Sequence, residues 1–188
     1  HETEVQEFFL SLQTESSRAL AIVVFSYIDD KLRALMLSHF NPGIAGGAES
    51  LFDGFGPLST ASSRIKVAGG LWWLSPMTYR HLELLRRIRN EFAHNPFLAT
   101  FDESPVRDLL AQFSPVEEEP WRLMADDLIA HGTATRRQLF HVRAVLTCSH
   151  MIQELRANPI ALKMGLSPSA LIEDGFAVFP ERFKESIR

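Results

Sequence analysis

Ser75-Pro76-Met77-Thr78-Tyr79-Arg80-His81-Leu82-Glu83-Leu84-Leu85-Arg86-Arg87-Ile88-Arg89-Asn90-Glu91-Phe92-Ala93-His94-Asn95-Pro96 is the stretch that decides the fold. Ser75 offers a hydroxyl N-cap, and Pro76 suits the first helical position, where a backbone N–H is not needed. Leu82, Leu85, Ile88 and Phe92 then recur at steps of three and four, one stripe of a 3.6-residue helix. Asn95-Pro96 stops the helix after His94, because the residue before a proline avoids the helical region.

Working outward, the same signals recur. Ser59 or Thr60 caps a helix reaching about Trp73, with Ile65, Ala68, Leu71 and Trp72 expected inward. Gly69-Gly70 inside it costs about 1 kcal/mol per glycine relative to alanine, which predicts a neighbouring backbone packed there. Upstream, residues 41–58 hold Gly43, Gly46, Gly47, Gly54, Gly56, Pro42 and Pro57 and read as an ordered loop, with one short turn near Glu49–Phe52. Gly54, Gly56 and Pro57 are expected to form a structural turn between two core helices. Before the loop, Leu20, Val24, Ile28, Leu32 and Leu35 stripe a helix from Ser16 to about Phe40, ended by Asn41-Pro42-Gly43. Val5, Phe8, Phe9 and Leu12 predict a short leading helix.

Downstream, Ser104-Pro105 opens a short helix to about Phe113, and residues 114–120 read as a loop. Another short helix is predicted over 121–131. Thr133 or Thr135 begins the last long helix, with Leu139, Val142, Leu146, Ser149 and Ile152 inward, and Asn158-Pro159 is expected to end it. Ser167-Pro168 opens a final short helix, and 176–179 is a weak strand candidate. The expected class is all-α: a single-domain multi-helix bundle, with residues 1–157 as the helical domain and 158–188 as its C-terminal extension.

Composition narrows the function. The chain has 188 residues, 46% of them hydrophobic and 22% charged, which fits a globular protein and excludes collagen-like or wholly disordered readings. The longest apolar runs, Ala19–Phe25 and Val67–Leu74, fall short of the ~18 residues that span a bilayer. No membrane partner and no leader peptide are expected, and the start at His1 suggests a trimmed N-terminus. Cys148 is the single cysteine, so no internal disulfide forms, in keeping with a cytoplasmic location. Net charge is −4, against coating nucleic acid by bulk charge. His131, His141 and His150 lack metal-ligand spacing, and neither a metal nor a cofactor is expected. Gly54-Phe55-Gly56 is no phosphate-binding Walker loop, since no Gly-Lys-Ser/Thr follows.

Charge is unevenly distributed. Residues 64–89 carry Arg64, Lys66, Arg80, Arg86, Arg87 and Arg89 against Glu83 alone. Residues 102–127 carry eight carboxylates against Arg107 and Arg122. The plain expectation is that the arginines pair with the acidic segment. The sharper one is an anion site, since the guanidinium fork suits carboxylates and phosphates. Arg86, Arg87, Arg89, Asn90 and His94 are the candidate binding residues. Arg86, Asn90 and His94 lie along one helix face at i, i+4 and i+8. Residues 133–143 contain Arg136, Arg137 and Arg143 but lack the positioning helix of a helix-turn-helix.

Two resemblances arise here. Leu51-Phe52-Asp53-Gly54-Phe55-Gly56-Pro57-Leu58-Ser59-Thr60-Ala61-Ser62-Ser63-Arg64-Ile65-Lys66, followed by Leu85 to His94, resembles the mannitol operon repressor (MtlR/MltR) family, most specifically over 51–94 and more broadly over about 5–157. That resemblance implies an all-helical bacterial transcriptional regulator without an obvious DNA-reading motif. Arg89-Asn90-x-x-x-His94 is similar to the signature of HEPN domains. It implies, as the alternative, a dimeric metal-independent ribonuclease in which His94 moves a proton and Arg89 stabilises phosphate charge. The first reading leads: a regulator acting through a protein partner, another transcription regulator among the candidates, with a second copy of the chain as a further expected partner. Direct DNA binding is not expected, and RNA is the ligand only under the alternative.

Overall fold

Leu20, Val24, Ile28, Leu32 and Met36 follow one another at steps of four, and helix α1 (Ser17–Leu37) buries all five. The structure is a computed structural model that describes residues 7–9, 11, 12, 14–114, 135–163 and 165. Ser16 caps α1, its Oγ accepting from Ala19 N at 3.1 Å. Residues 7–9 are helical ahead of it. The glycine-rich loop contains one turn of 3₁₀ helix, Ala48–Leu51, a residue earlier than expected.

Helix α2 (Ala61–Gly70) is capped by Thr60, whose Oγ1 accepts from Ser63 N at 3.1 Å. It stops three residues short of Trp73. Trp72 N donates to Gly69 O and Trp73 N to Ala68 O, at 3.1 and 2.9 Å, closing the helix with Trp72 in the left-handed region at φ 57°. Ile65 and Ala68 are buried as expected, but Leu71 and Trp72 point to solvent because they lie beyond the helix end. The neighbour at Gly69 is not a backbone: a Cβ there would lie 2.6 Å from the Tyr79 ring.

Helix α3 (Pro76–His94) keeps its expected bounds and buries Leu82, Leu85, Ile88 and Phe92. Helix α4 (Val106–Leu110) is shorter than expected, and the turn after it is closed by Gln112 N to Leu109 O and Phe113 N to Leu110 O. Helix α5 (Arg136–Lys163) starts on a reciprocal cap between Thr135 and Gln138: Thr135 N donates to Gln138 Oε1 at 2.8 Å and Gln138 N to Thr135 Oγ1 at 3.3 Å.

Helix α5 corrects two expectations. Its buried positions include Phe140, Ala144, Cys148, Met151 and Leu155, together with Val142, Val145 and Ile152, so apolar contact extends beyond a single stripe. Leu139 and Ser149 are only half-buried. The helix also runs through Asn158-Pro159 to Lys163 instead of ending there. Proline removes the donor that Leu155 O would receive, and His39 Nε2 donates to that carbonyl instead, at 2.7 Å.

The chain divides into two units, each with its own core. In the first, whose described residues fall within 7–24, 88–114 and 135–146, Phe101 packs edge-on against Phe92 and stacks on Phe140, with ring centroids at 5.0 and 4.6 Å. In the second, whose described residues fall within 25–87 and 147–165, Phe40 meets Phe52 and Trp73 edge-on, and His39 lies against Trp73. No strand occurs among the described residues, and the fold is an all-α multi-helix bundle. No described helix is long and apolar enough to cross a membrane. The loop expected over 115–120, the short helix over 121–131, and the features at 167–168 and 176–179 lie outside the described residues.

Candidate functional site

Helix α3 carries the five candidate binding residues. In the second unit its start is held by Glu154, a carboxylate only 7% exposed. Glu154 Oε2 accepts from Ser75 N and Oε1 from Thr78 Oγ1, both at 2.8 Å, while Ser75 Oγ accepts from Thr78 N at 3.2 Å. A negative charge at a helix N-terminus is favourable to the dipole.

In the first unit the end of α3 is held by Arg18. Its guanidinium donates to Phe92 O, and to Asn95 O, Pro96 O and Leu98 O at 2.9, 3.0 and 2.9 Å. Phe92 O is one of the carbonyls that a helix terminus leaves without intrahelical donors, and the other three belong to the turn that follows the helix. Sequence reasoning missed both Arg18 and Glu154. Arg18 did leave a signal: a cation in the first turn of α1 opposes that helix's own dipole, so its charge serves elsewhere.

The candidates themselves differ in their surroundings. In the second unit, Arg86 is bound to Glu83 one turn earlier, through Nε–Oε1 at 3.2 Å and Nη2–Oε2 at 2.9 Å. Arg87 is exposed. In the first unit, Arg89 Nη1 donates to Asn90 Oδ1 at 3.2 Å, with both side chains half-buried. His94 is exposed and makes no hydrogen bond or ion pair among the described residues. The structure thus brings Arg89 to Asn90 and brings His94 to neither.

The basic stretch is also less basic than its composition. Arg64 is 6% exposed; its Nε and Nη2 bind Asp29 at 3.0 and 2.6 Å and its Nη1 binds Leu58 O at 2.7 Å. Among the described residues Arg64 pairs with Asp29 and Arg86 with Glu83, while Glu117, Glu118, Glu119, Asp126 and Asp127 of the acidic stretch lie outside those residues. Asp102 is taken by Arg136 at 2.5 Å. The other arginines near the start of α5 are engaged too: Arg137 donates to Leu12 O at 3.1 Å, and Arg143 lies over the Phe113 ring at 5.9 Å.

The Gly54-Phe55-Gly56-Pro57 turn is built by two different constraints. Gly54 has φ 57°, open to glycine at little cost. Gly56 is fixed by contact: a Cβ there would lie 2.4 Å from both Ser50 O and Leu51 O. Leu58 N donates to the same Leu51 carbonyl at 2.7 Å, so the turn folds back tightly on the 3₁₀ helix. Phe55 at its tip is fully exposed.

Elsewhere His141 and Cys148 are buried. Desolvation pushes His141 down to about 4, with the Arg137 charge adding to the shift and a hydrogen bond to the Phe9 backbone opposing it. Burial pushes the Cys148 thiol up to about 12, which keeps it protonated and a poor nucleophile. No group of three or more His, Cys, Asp or Glu among the described residues is arranged to hold a metal ion. His131 lies outside those residues.

The described residues form an all-α fold in which Arg18, Arg64, Arg86, Arg136 and Arg137 are engaged within the protein. The family described as "Mannitol repressor" matches residues 4–156, and the chain belongs to it. One chain of the X-ray structure of the MtlR–HPr complex from Escherichia coli is 22% identical, with a TM-score of 0.55 over 81% of this chain and 98% of that one. At that identity the likeness is one of fold. Comparison with curated proteins gives no match.

Proposed function

We propose that this protein is a cytoplasmic regulator of the mannitol-repressor kind that acts through a protein partner and does not read DNA itself. Membership of the family over residues 4–156 carries the reading. The chain of similar fold belongs to a complex with HPr, and HPr is the partner proposed here. The internal engagement of Arg136, Arg137 and Arg143 supports the second half of the reading, because guanidiniums held by Asp102, Leu12 O and Phe113 are not free to meet base edges.

Within this reading Arg86, Arg87, Arg89, Asn90 and His94 of α3 are the proposed binding residues, and the last three do not catalyse. Arg87 and His94 are the exposed ones and would meet the partner first. The test is isolation of partners from the native cell, with nucleic acid recovered from the same sample. A stoichiometric protein partner, with DNA retained only through it, is the expected result. A promoter footprint made by the purified chain alone at physiological salt contradicts it.

A further inference from the structure

Three features of the second unit forgo stability at one place. Trp72 holds φ 57°, the one non-glycine residue among the described residues with positive φ. It stands where helices ordinarily end on glycine, and a bulky side chain there is strained. The strain is not offset by burial, since the residue is 63% exposed. Gly70 sits in the last turn of α2 although a Cβ there would meet nothing within 4 Å. Leu71 and Met77 add exposed apolar surface on either side.

Trp72 and Gly70 line a groove of about 320 Å³, together with Gly69, Leu74, Pro76 and Tyr79. Lys66 lines one edge. Arg80 is exposed three residues after Met77 and four after Pro76, on the same helix face. Between Ala61 and Leu82 the sequence has no Asp or Glu. Glu154, the carboxylate at the start of α3, is taken up by Ser75 and Thr78. The patch is therefore apolar with a cationic border. A second copy of the chain docked on it by a two-fold axis would bring Lys66 and Arg80 against themselves.

We propose that this groove binds an acidic peptide segment of a partner protein, a bulky apolar side chain seated against Trp72 and flanking carboxylates meeting Lys66 and Arg80. Exposed tryptophan and arginine beside a pocket are the residue types that dominate binding energy at interfaces. The site stands whichever protein the regulator engages, and its test uses no HPr.

The test selects a random twelve-residue peptide display library on the full chain and measures the best peptide by fluorescence titration. Enriched peptides should combine Leu, Ile, Phe or Trp with Glu or Asp. Trp72→Gly should weaken binding at least tenfold while melting no lower than the native protein, because glycine relieves the left-handed strain. Gly70→Leu should fill the groove and weaken binding similarly with the fold intact. Lys66→Ser should weaken it about threefold and flatten its salt dependence. No enrichment, enrichment of basic peptides, or binding that survives both Trp72→Gly and Gly70→Leu overturns the proposal. So does a Trp72→Gly protein that melts well below the native one, which would make the ring a packing element.

Discussion

His39 Nε2 donates to Leu155 O at 2.7 Å, and Leu155 O is the carbonyl that Pro159 leaves without its i+4 donor. The imidazole stands in for a missing backbone N–H and lets α5 continue to Lys163 across a proline. A buried carbonyl left unsatisfied costs about 1–3 kcal/mol. Replacing His39 by Leu should destabilise the protein by that order in urea unfolding. In a Pro159→Ala background the backbone amide restored at that position supplies the donor, so the same His39→Leu change should cost clearly less. A double-mutant cycle with zero coupling would show that the two residues do not share this carbonyl.

Arg18 gathers four carbonyls at the end of α3. Arg18→Ala should lower stability by about 2–4 kcal/mol, since hydrogen bonds to a charged donor are among the stronger ones. Arg18→Lys should recover only part, because an ammonium lacks the planar fork that spans several acceptors. Chemical denaturation of the three proteins orders them, and equal stabilities would remove Arg18 from this role.

The two glycines of the 54–57 turn should respond differently. Gly56→Ala forces a methyl against two backbone oxygens that cannot rotate away, and a cost of about 2–3 kcal/mol is expected. Gly54→Ala meets open space and bears only the left-handed penalty, about 1–2 kcal/mol. Thermal melts should rank Gly56→Ala below Gly54→Ala, and the reverse order contradicts the contact.

His141 couples stability to pH. In the fold it titrates near 4, below the ordinary 6.5. The unfolded chain therefore binds the proton first as pH falls. This group's contribution is complete above about pH 6.5 and is lost as pH falls from there to about 4. The gap between those two values corresponds to about 3 kcal/mol, and the side chain is buried enough for solvent screening to leave most of it. His141→Gln should have a flatter stability profile than the native protein between about pH 6.5 and 4. Parallel profiles would place the native pH dependence on other groups.

Helices announced themselves where caps and stripes coincide. Ser75-Pro76 and Asn95-Pro96 bound α3 at both ends, and the stripe between them is its buried face. Where two local rules competed, the sequence was ambiguous. Trp72 read as an inward continuation of the α2 stripe, but the chain leaves the helix at Gly70 and the ring turns outward. Pro159 read as a stop, and a donor to Leu155 O that lies 116 positions earlier in sequence overrides it. The site shows the same limit. Which arginines are consumed depends on Asp29, Glu83 and Asp102, and only the 83–86 spacing is visible along the chain. No short-range pattern names the targets of long-range partners such as Arg18 and Glu154, since most of those targets are backbone groups that every residue carries.

The central claim is that the chain works through a protein partner, and calorimetric titration of the purified protein with HPr tests it most directly. Saturable binding at micromolar affinity or tighter in physiological salt is the predicted result, weakened at least fivefold by Arg87→Ser with His94→Ala. No binding up to millimolar HPr, together with salt-resistant binding of a defined promoter by the chain alone, would contradict the account.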